Sequence, residues 1–257
     1  MDRVLEVMTE AARAAGEIAL KYYRQGVEVT LKPDGSPVTE ADREAEQAIV
    51  EVLGRTFPEY GYLGEELGAR GSKEIRWIID PIDGTRNFVR GIPIWAVLIA
   101  LEERGEITAG LIHNPVGGEF YRARRGRGAF LGEERLRVSD MSSLDKSTLV
   151  HAGLGFLRTS GHWEGFVRLV DATERQRGFG DYLCYTVLAE GKGELAAEAD
   201  VKPWDLAAVK LLVEEAGGRF TDFSGVPTIY LGTALASNGL LHDAALALIR
   251  GGQALSP

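Results

Sequence analysis

The 257-residue chain has one cysteine, three methionines and four histidines. A single thiol, Cys184, excludes an intramolecular disulfide framework and a cysteine-based zinc site. Its neighbours Leu183, Tyr185, Val187 and Leu188 are apolar or aromatic, so it reads as a buried structural cysteine rather than a nucleophile. His113 and His242 read as structural or exposed, and His151 and His162 are too isolated to form a nucleophilic pair. No apolar run approaches the roughly 20 residues that span a bilayer, so no membrane association is expected. Positive charge is also scarce. Lys and Arg number 29 against 38 Asp and Glu, and the net charge of −9 argues against a nucleic-acid partner. The one basic cluster, Arg122 to Arg127, lies between strand-like segments and reads as a solvated hairpin. The first sixteen residues alternate Val4, Leu5, Met8, Ala11, Ala12 and Ala15 with acidic positions. They lack the basic start and apolar centre of a secretory signal, and a cytoplasmic location is expected.

What is present is ordinary for a folded domain: 45% hydrophobic and 26% charged residues, with no repeat, low-complexity tract or long linker. The apolar spacing predicts helices over 2–24 and 39–55, the second with Thr39 as N-cap and Asp42 three residues on. Strand patterns follow at 76–79, 93–102, 107–113 and 118–123, then at 147–151. Helices are predicted over 161–171, 180–191 and 205–216, the last ended by Gly217-Gly218, and over 240–250. Short strands are expected at 193–198, 219–222 and 233–237. Helices first, an antiparallel region next and alternating elements last describe a layered α+β protein. A composition shift near 140–150 divides the expected single domain, 1–257, into halves 1–145 and 146–257.

The most informative run is Trp77-Ile-Ile-Asp80-Pro-Ile-Asp83-Gly-Thr85-Arg-Asn-Phe88. Two carboxylates three residues apart end an apolar strand, and a Gly-Thr pair follows where a helix can begin. Hard cations take carboxylate and carbonyl oxygens, and phosphate takes cations, backbone N–H groups and a hydroxyl. The run therefore reads as a magnesium-dependent phosphoryl site. Glu65 and Glu66 follow a glycine that permits a tight turn. Asp205 follows Pro203-Trp204 and is either a helix-start acid or a site carboxylate.

Gly64-Glu65-Glu66, Asp80-Pro-Ile-Asp83-Gly-Thr85 and Trp204-Asp205-Leu-Ala-Ala208 resemble, in order and spacing, the motifs of the inositol monophosphatase family. The resemblance runs from Lys32 through Asn238-Gly239. It implies an α-β-α-β-α sandwich, often dimeric, that hydrolyses a small phosphate monoester with two or three Mg2+ ions and a metal-activated water. By the same resemblance, Glu65, Asp80, the Ile82 carbonyl, Asp83 and Asp205 are the expected metal ligands. Glu65 and Thr85, supported by Asp42, are the expected water-activating groups. Gly84 and Thr85 would offer N–H groups to phosphate, and Lys32 matches a lysine of a mobile active-site loop.

The substrate follows less directly. Asp83 to Trp95, Arg177-Gly-Phe-Gly-Asp181-Tyr-Leu183 and Arg125-Gly-Arg-Gly-Ala-Phe130 resemble the histidinol-phosphate phosphatase branch more than the inositol enzymes. Histidinol phosphate carries an ammonium group and an imidazole, so its pocket calls for carboxylates and an aromatic wall. Asp181 and Glu198 are the candidate acids, with Asp83 and Asp205 also reaching substrate. Arg177 is a candidate for phosphate or for bracing Asp181. Trp95 and Tyr182 are candidate aromatic walls, Trp95 equally a core residue and Asp181 equally a helix cap. Glu198 also matches a substrate-contacting glutamate of the inositol enzymes, which keeps inositol or another polyol phosphate as the alternative. A non-catalytic binding protein on the same fold would be expected to have lost ligands that this chain retains.

Overall fold

The computed structural model describes residues 2–25, 30–31 and 37–251. Lys32 and the expectation attached to it lie outside the described residues. Helix α1 (Arg3–Gln25) leads through the short pair β1 (Thr30–Leu31) and β2 (Pro37–Val38) into helix α2 (Glu40–Thr56). The first sheet then forms from β3 (Gly61–Gly64), β4 (Gly68–Arg70) and β5 (Ile75–Asp83). After the short helix α3 (Thr85–Val89) it continues with β6 (Ala96–Glu103), β7 (Glu106–Asn114), β8 (Glu119–Arg124), β9 (Gly128–Leu131) and β10 (Glu134–Arg135). The spatial order is β10-β9-β8-β7-β6-β5-β3-β4, antiparallel throughout except where β3 runs parallel to β5.

The second sheet begins at β11 (Thr148–His151) and passes through helices α4 (Leu154–Thr159) and α5 (Trp163–Ala172) to β12 (Arg175–Arg177). Helix α6 (Asp181–Ala189), β13 (Leu195–Ala199), helix α7 (Pro203–Glu215), β14 (Arg219–Thr221), β15 (Thr233–Ser237) and helix α8 (His242–Arg250) complete it, in the order β12-β11-β13-β15-β14.

Alternation along the strands sorts the side chains into layers, because successive residues of a strand face opposite ways. Trp77, Ile79, Val97, Ile99 and Leu101 face α1 and α2, meeting Met8, Ala12, Ile49 and Leu53. The intervening Ile78, Ala96, Leu98 and Ala100 face the other way, against Tyr185, Leu188, Leu206 and Val209 of α6 and α7. Ala196, Ala234 and Ala236 of the second sheet close that middle layer from the far side. Leu149, Leu195, Ala197 and Leu235 point outward onto α5 and α8. The result is the α-β-α-β-α sandwich, and its two sheets are buried on both faces. That is why β6 and β13 read as continuous apolar runs rather than alternating ones.

The long elements fall where their apolar spacing places them, within a few residues. The pairs β3–β4 and β9–β10 and the short helix α4 have no such signature, being two to six residues long. The basic cluster is the β8–β9 hairpin. Its cations meet acids, Arg124 with Asp2 at 3.1 Å and Arg125 with Glu214 at 2.8 Å. Cys184 is fully buried, His113 stacks on Phe120, and buried His242 bonds Thr221 and Ser237.

Candidate active site

The site begins with an irregularity in β5. In a regular strand, positions 80 and 83 project to opposite faces. Here Asp80 pairs with Leu98 and Asp83 with Ala96, so three residues of β5 advance against two of β6. Such a bulge turns the chain so that both carboxylates reach the same side. One oxygen each of Asp80, Asp83 and Asp205 lies within 4.8 Å of the others.

Asp205 stands in the first turn of α7 behind Pro203, and the Lys202 N–H donates to its Oδ2 at 2.7 Å. It therefore caps the helix and faces the cluster with the same carboxylate. Asp80 is held by an N–H bond from Ile82 to its Oδ1 at 3.0 Å, and Asp83 by one from Tyr182 to its Oδ2 at 2.6 Å.

Gly84 turns the chain into α3 with φ of 87°, a left-handed conformation that favours glycine. A Cβ there would come within 3.0 Å of the Ile94 carbonyl and 3.1 Å of an Asp181 carboxylate oxygen. The Thr85 hydroxyl donates to the Ile82 carbonyl at 3.0 Å. Glu65 follows the end of β3, its N–H bonded to Ile79 O at 3.2 Å. The turn carrying it is braced by Glu46 of α2, whose carboxylate accepts the N–H groups of Glu66 and Leu67 at 2.8 and 3.1 Å. A Cβ at Gly64 would overlap Glu46 Oε1, so a side chain there would displace the bracing carboxylate.

Glu65, Asp80, Ile82, Asp83, Gly84, Thr85, Asp181, Glu198 and Asp205 all line one cavity of about 330 Å³. Crowding and burial set its electrostatics. Burial, then the neighbouring carboxylates, hold Asp80 and Asp83 well above the usual carboxylate range. Burial pushes Asp205 up to about 7 and Glu198 up to about 8. A group of oxygen donors this close is self-repulsive when ionised, and a divalent cation relieves that repulsion. The donor set thus fits a hard metal ion.

Beside the cluster stands a second acidic pair. Glu198 occupies the inward-facing parity of β13 shared with Ala196. Its Oε1 accepts the Asp181 N–H at 3.0 Å and its Oε2 the Tyr185 hydroxyl at 2.6 Å. Glu198 thus fixes the backbone that presents Asp181, and Asp181 Oδ2 accepts the Asn87 amide at 3.0 Å.

Several candidates are placed elsewhere. Arg177 does not line the cavity; it is exposed, and its guanidinium bonds the Gln176 carbonyl. Among the described residues, the cation that acts on Asp181 is Arg86, which lines the cavity and lowers the Asp181 pKa against the larger upward push of burial. Trp95 is a core residue, fully buried against Phe88 and Tyr23 behind Gly84. Tyr182 is buried too, and its hydroxyl accepts from Asn114 at 2.7 Å. Asp42 stands outside the cavity lining, and its Oδ2 accepts both the N–H and the hydroxyl of Thr39. It is close enough to Glu65 and Asp80 for their charges to interact. Arg86, Asn87 and Glu46 are site residues that motif spacing did not single out. Glu46 had one available signal, its i, i+4 relation to Asp42 on α2.

A buried carboxylate cluster fit for a divalent cation, beside a hydroxyl and a second acidic pair between two sheets, defines a metal-assisted phosphomonoesterase. A sequence model of the inositol monophosphatase family matches residues 1–253. The histidinol-phosphatase of Mycobacterium tuberculosis is 41% identical over 98% of this chain and 99% of that protein. The inositol-1-monophosphatase of Mesorhizobium japonicum is 37% identical over 96% of each. Among solved structures, the extragenic suppressor protein suhB of Bartonella henselae superposes with a TM-score of 0.90. It is 34% identical and covers 97% of this chain and 99% of its own. The chain belongs to the inositol monophosphatase family.

Proposed function

We propose that this phosphatase hydrolyses L-histidinol phosphate to L-histidinol and phosphate with magnesium. The observation that carries the choice of ester is the Asp181–Glu198 pair in the same cavity as the Asp80–Asp83–Asp205 cluster. A substrate whose alcohol carries an ammonium group and an imidazole meets a negative wall there. The 41% identity to enzymes named histidinol-phosphatase supports the same choice.

Asp80, Asp83 and Asp205 would hold the magnesium, with Glu65 and the Ile82 carbonyl as further donors and two or three ions in all. Magnesium in such a site neutralises the phosphate oxygens and lowers the pKa of the attacking water. The residues do the positioning. The Thr85 hydroxyl, spent as a donor on Ile82, presents its oxygen as an acceptor for the water, and Glu65 takes up the proton. Asp42 supports Glu65 by its charge, while Gly84 and Thr85 offer N–H groups to the phosphate. Asp181 takes the ammonium group.

The experiment compares kcat/KM for L-histidinol phosphate and inositol 1-phosphate with magnesium. The expected result favours histidinol phosphate, and a tenfold preference for inositol phosphate would sink the reading. Inositol-1-monophosphatase is the second reading, favoured by buried Glu198, which matches a substrate-contacting acid of those enzymes. Both Glu198 oxygens are already engaged by Asp181 and Tyr185, which leaves that role weaker.

The same proposal includes a cytoplasmic homodimer with neither nucleic acid nor membrane as partner. The net charge of −9 supports the exclusion of nucleic acid. Among the described residues no helix is long and apolar enough to cross a membrane. Light scattering tests the dimer.

A further inference from the structure

We propose that Phe156 and Phe179 form the face that recognises an aromatic ring on the leaving group. The inference rests on the histidinol-phosphate reading and names the residues that would read the imidazole. Both side chains line the cavity, and both are open to solvent, Phe156 at 40% and Phe179 at 54% exposure. The neighbouring Leu157 of α4 is buried in the outer core, so α4 divides its apolar side chains between core and cavity. A single exposed phenyl ring would mean little. Two in one cavity, next to Asp181, form an apolar and anionic pair of walls.

The backbone around Phe179 is built to display it. A Cβ at Gly178 would fall 2.6 Å from the His151 ring, and one at Gly180 would fall 3.1 Å from the Ala152 Cα. The two glycines thus press the bend against the end of β11 and leave Phe179 as the only side chain between them. Gly180 has φ 73° and ψ −163°, a region essentially restricted to glycine.

Asp181 follows at φ 56°, held there by its own N–H bond to Glu198 and by the Tyr182 N–H bond to Asp83. Among the described residues, three that are not glycine adopt positive φ: Arg104, Asp181 and Asp200. Arg104 is explained by its tight hairpin turn with Gly105 between β6 and β7. Asp181 and Asp200 both line this cavity. Backbone strain held at a cavity wall points to what the wall must present. Here, within three residues, it is a ring and a carboxylate.

The chemistry selects the ligand. A flat imidazole packs on phenyl faces or edges, and its protonated form gains cation–π attraction. An inositol ring has no π face, and its hydroxyls would lose water against two phenyl rings.

The test compares L-histidinol phosphate with 2-aminoethyl phosphate, which keeps the ammonium, the two-carbon link and the phosphate but lacks the imidazolylmethyl arm. The variants are Phe156→Leu, Phe179→Leu, their combination, and Phe179→Tyr. Loss of both rings is expected to raise KM for histidinol phosphate about tenfold and to shrink the preference between the two esters by a similar factor. Phe179→Tyr, which keeps a π face, should retain that preference. The proposal is overturned if the double variant keeps the parental preference, or if both esters lose activity in parallel. A parent enzyme that prefers inositol 1-phosphate removes the underlying reading itself, which the unmutated protein alone reveals.

Discussion

Asp80, Asp83 and Asp205 reach the cavity from a bulged strand and a helix start, whereas Phe156, Phe179, Asp181 and Glu198 reach it from α4, a glycine-flanked bend, the start of α6 and an inward strand position. The first group sits on rigid elements buried on both sides, and what it must hold is dictated by the cation's demand for oxygen. The second group includes solvent-open side chains on strained backbone, and what it must hold is one organic alcohol among many. Within one family the metal end can stay constant while the leaving-group end varies, because only the second discriminates between substrates. Asp83 joins the two ends, since its carboxylate belongs to the cluster and also accepts the N–H of Tyr182, next to Asp181.

The largest expected effect comes from breaking the metal end. Asp83→Asn should lower kcat by about a thousandfold or more, as expected when several kcal/mol of charge stabilisation is removed. The amide oxygen can still accept the Tyr182 N–H, so circular dichroism and thermal melting should show a folded protein. Hydrolysis at the parental rate with magnesium would remove Asp83 from the site.

Removing divalent cations sharpens the comparison through pH. Burial and crowding raise Asp205 to about 7 and Glu198 to about 8, whereas an unfolded chain titrates its carboxyls near about 4. The folded, metal-free protein therefore binds more protons than the unfolded chain across that window. The stability these groups contribute is fully present below about pH 4 and is lost as pH rises through the folded values. On the proposed assignment, Mg2+ would bind the ionised cluster and oppose that loss. In chelator, the melting temperature should be higher at pH 6 than at pH 8, and the increase on adding Mg2+ should be larger at pH 8. Equal Mg2+ shifts at both pH values would argue that the acids are not crowded as described.

The uneven legibility of the two ends has the same physical origin. Asp80, Asp83, Gly84 and Thr85 are contiguous, and a cation and a phosphate together constrain all four residue types. The bulge that turns Asp80 and Asp83 to one side was not legible, since nothing in Asp-Pro-Ile-Asp states which residue is left unpaired. At the other end, aromatic character near the motif pointed to Trp95 and Tyr182. Both are buried, because they lie on apolar faces that pack against α1 and the first sheet. Phe156 lies on a six-residue helix too short to show a period, and Phe179 declares itself only through the glycines that flank it. The long elements were readable from their apolar spacing, while the two-to-four-residue strands β4, β9 and β10 were not, because their pairing depends on neighbours.

The smallest expected effect separates two arginines that the sequence leaves equivalent. Arg177 stands in the segment that resembles the histidinol-phosphate branch, yet its guanidinium is turned to the Gln176 carbonyl and away from the cavity. Arg86, the second residue of α3, lines the cavity and acts electrostatically on Asp181. Both are exposed, so solvent limits what either charge contributes. Arg177→Ala should leave kcat/KM for the phosphate ester within about twofold, as for a surface change remote from the site. Arg86→Ala should lower it by about fivefold, the upper range for one exposed charge pair. It should also shift the acidic limb of the pH profile upward, because Asp181 loses the charge that favours its ionised form. A larger loss from Arg177→Ala than from Arg86→Ala would mean that the 175–177 strand turns its side chain inward when substrate binds, and that the leaving-group end is completed only then.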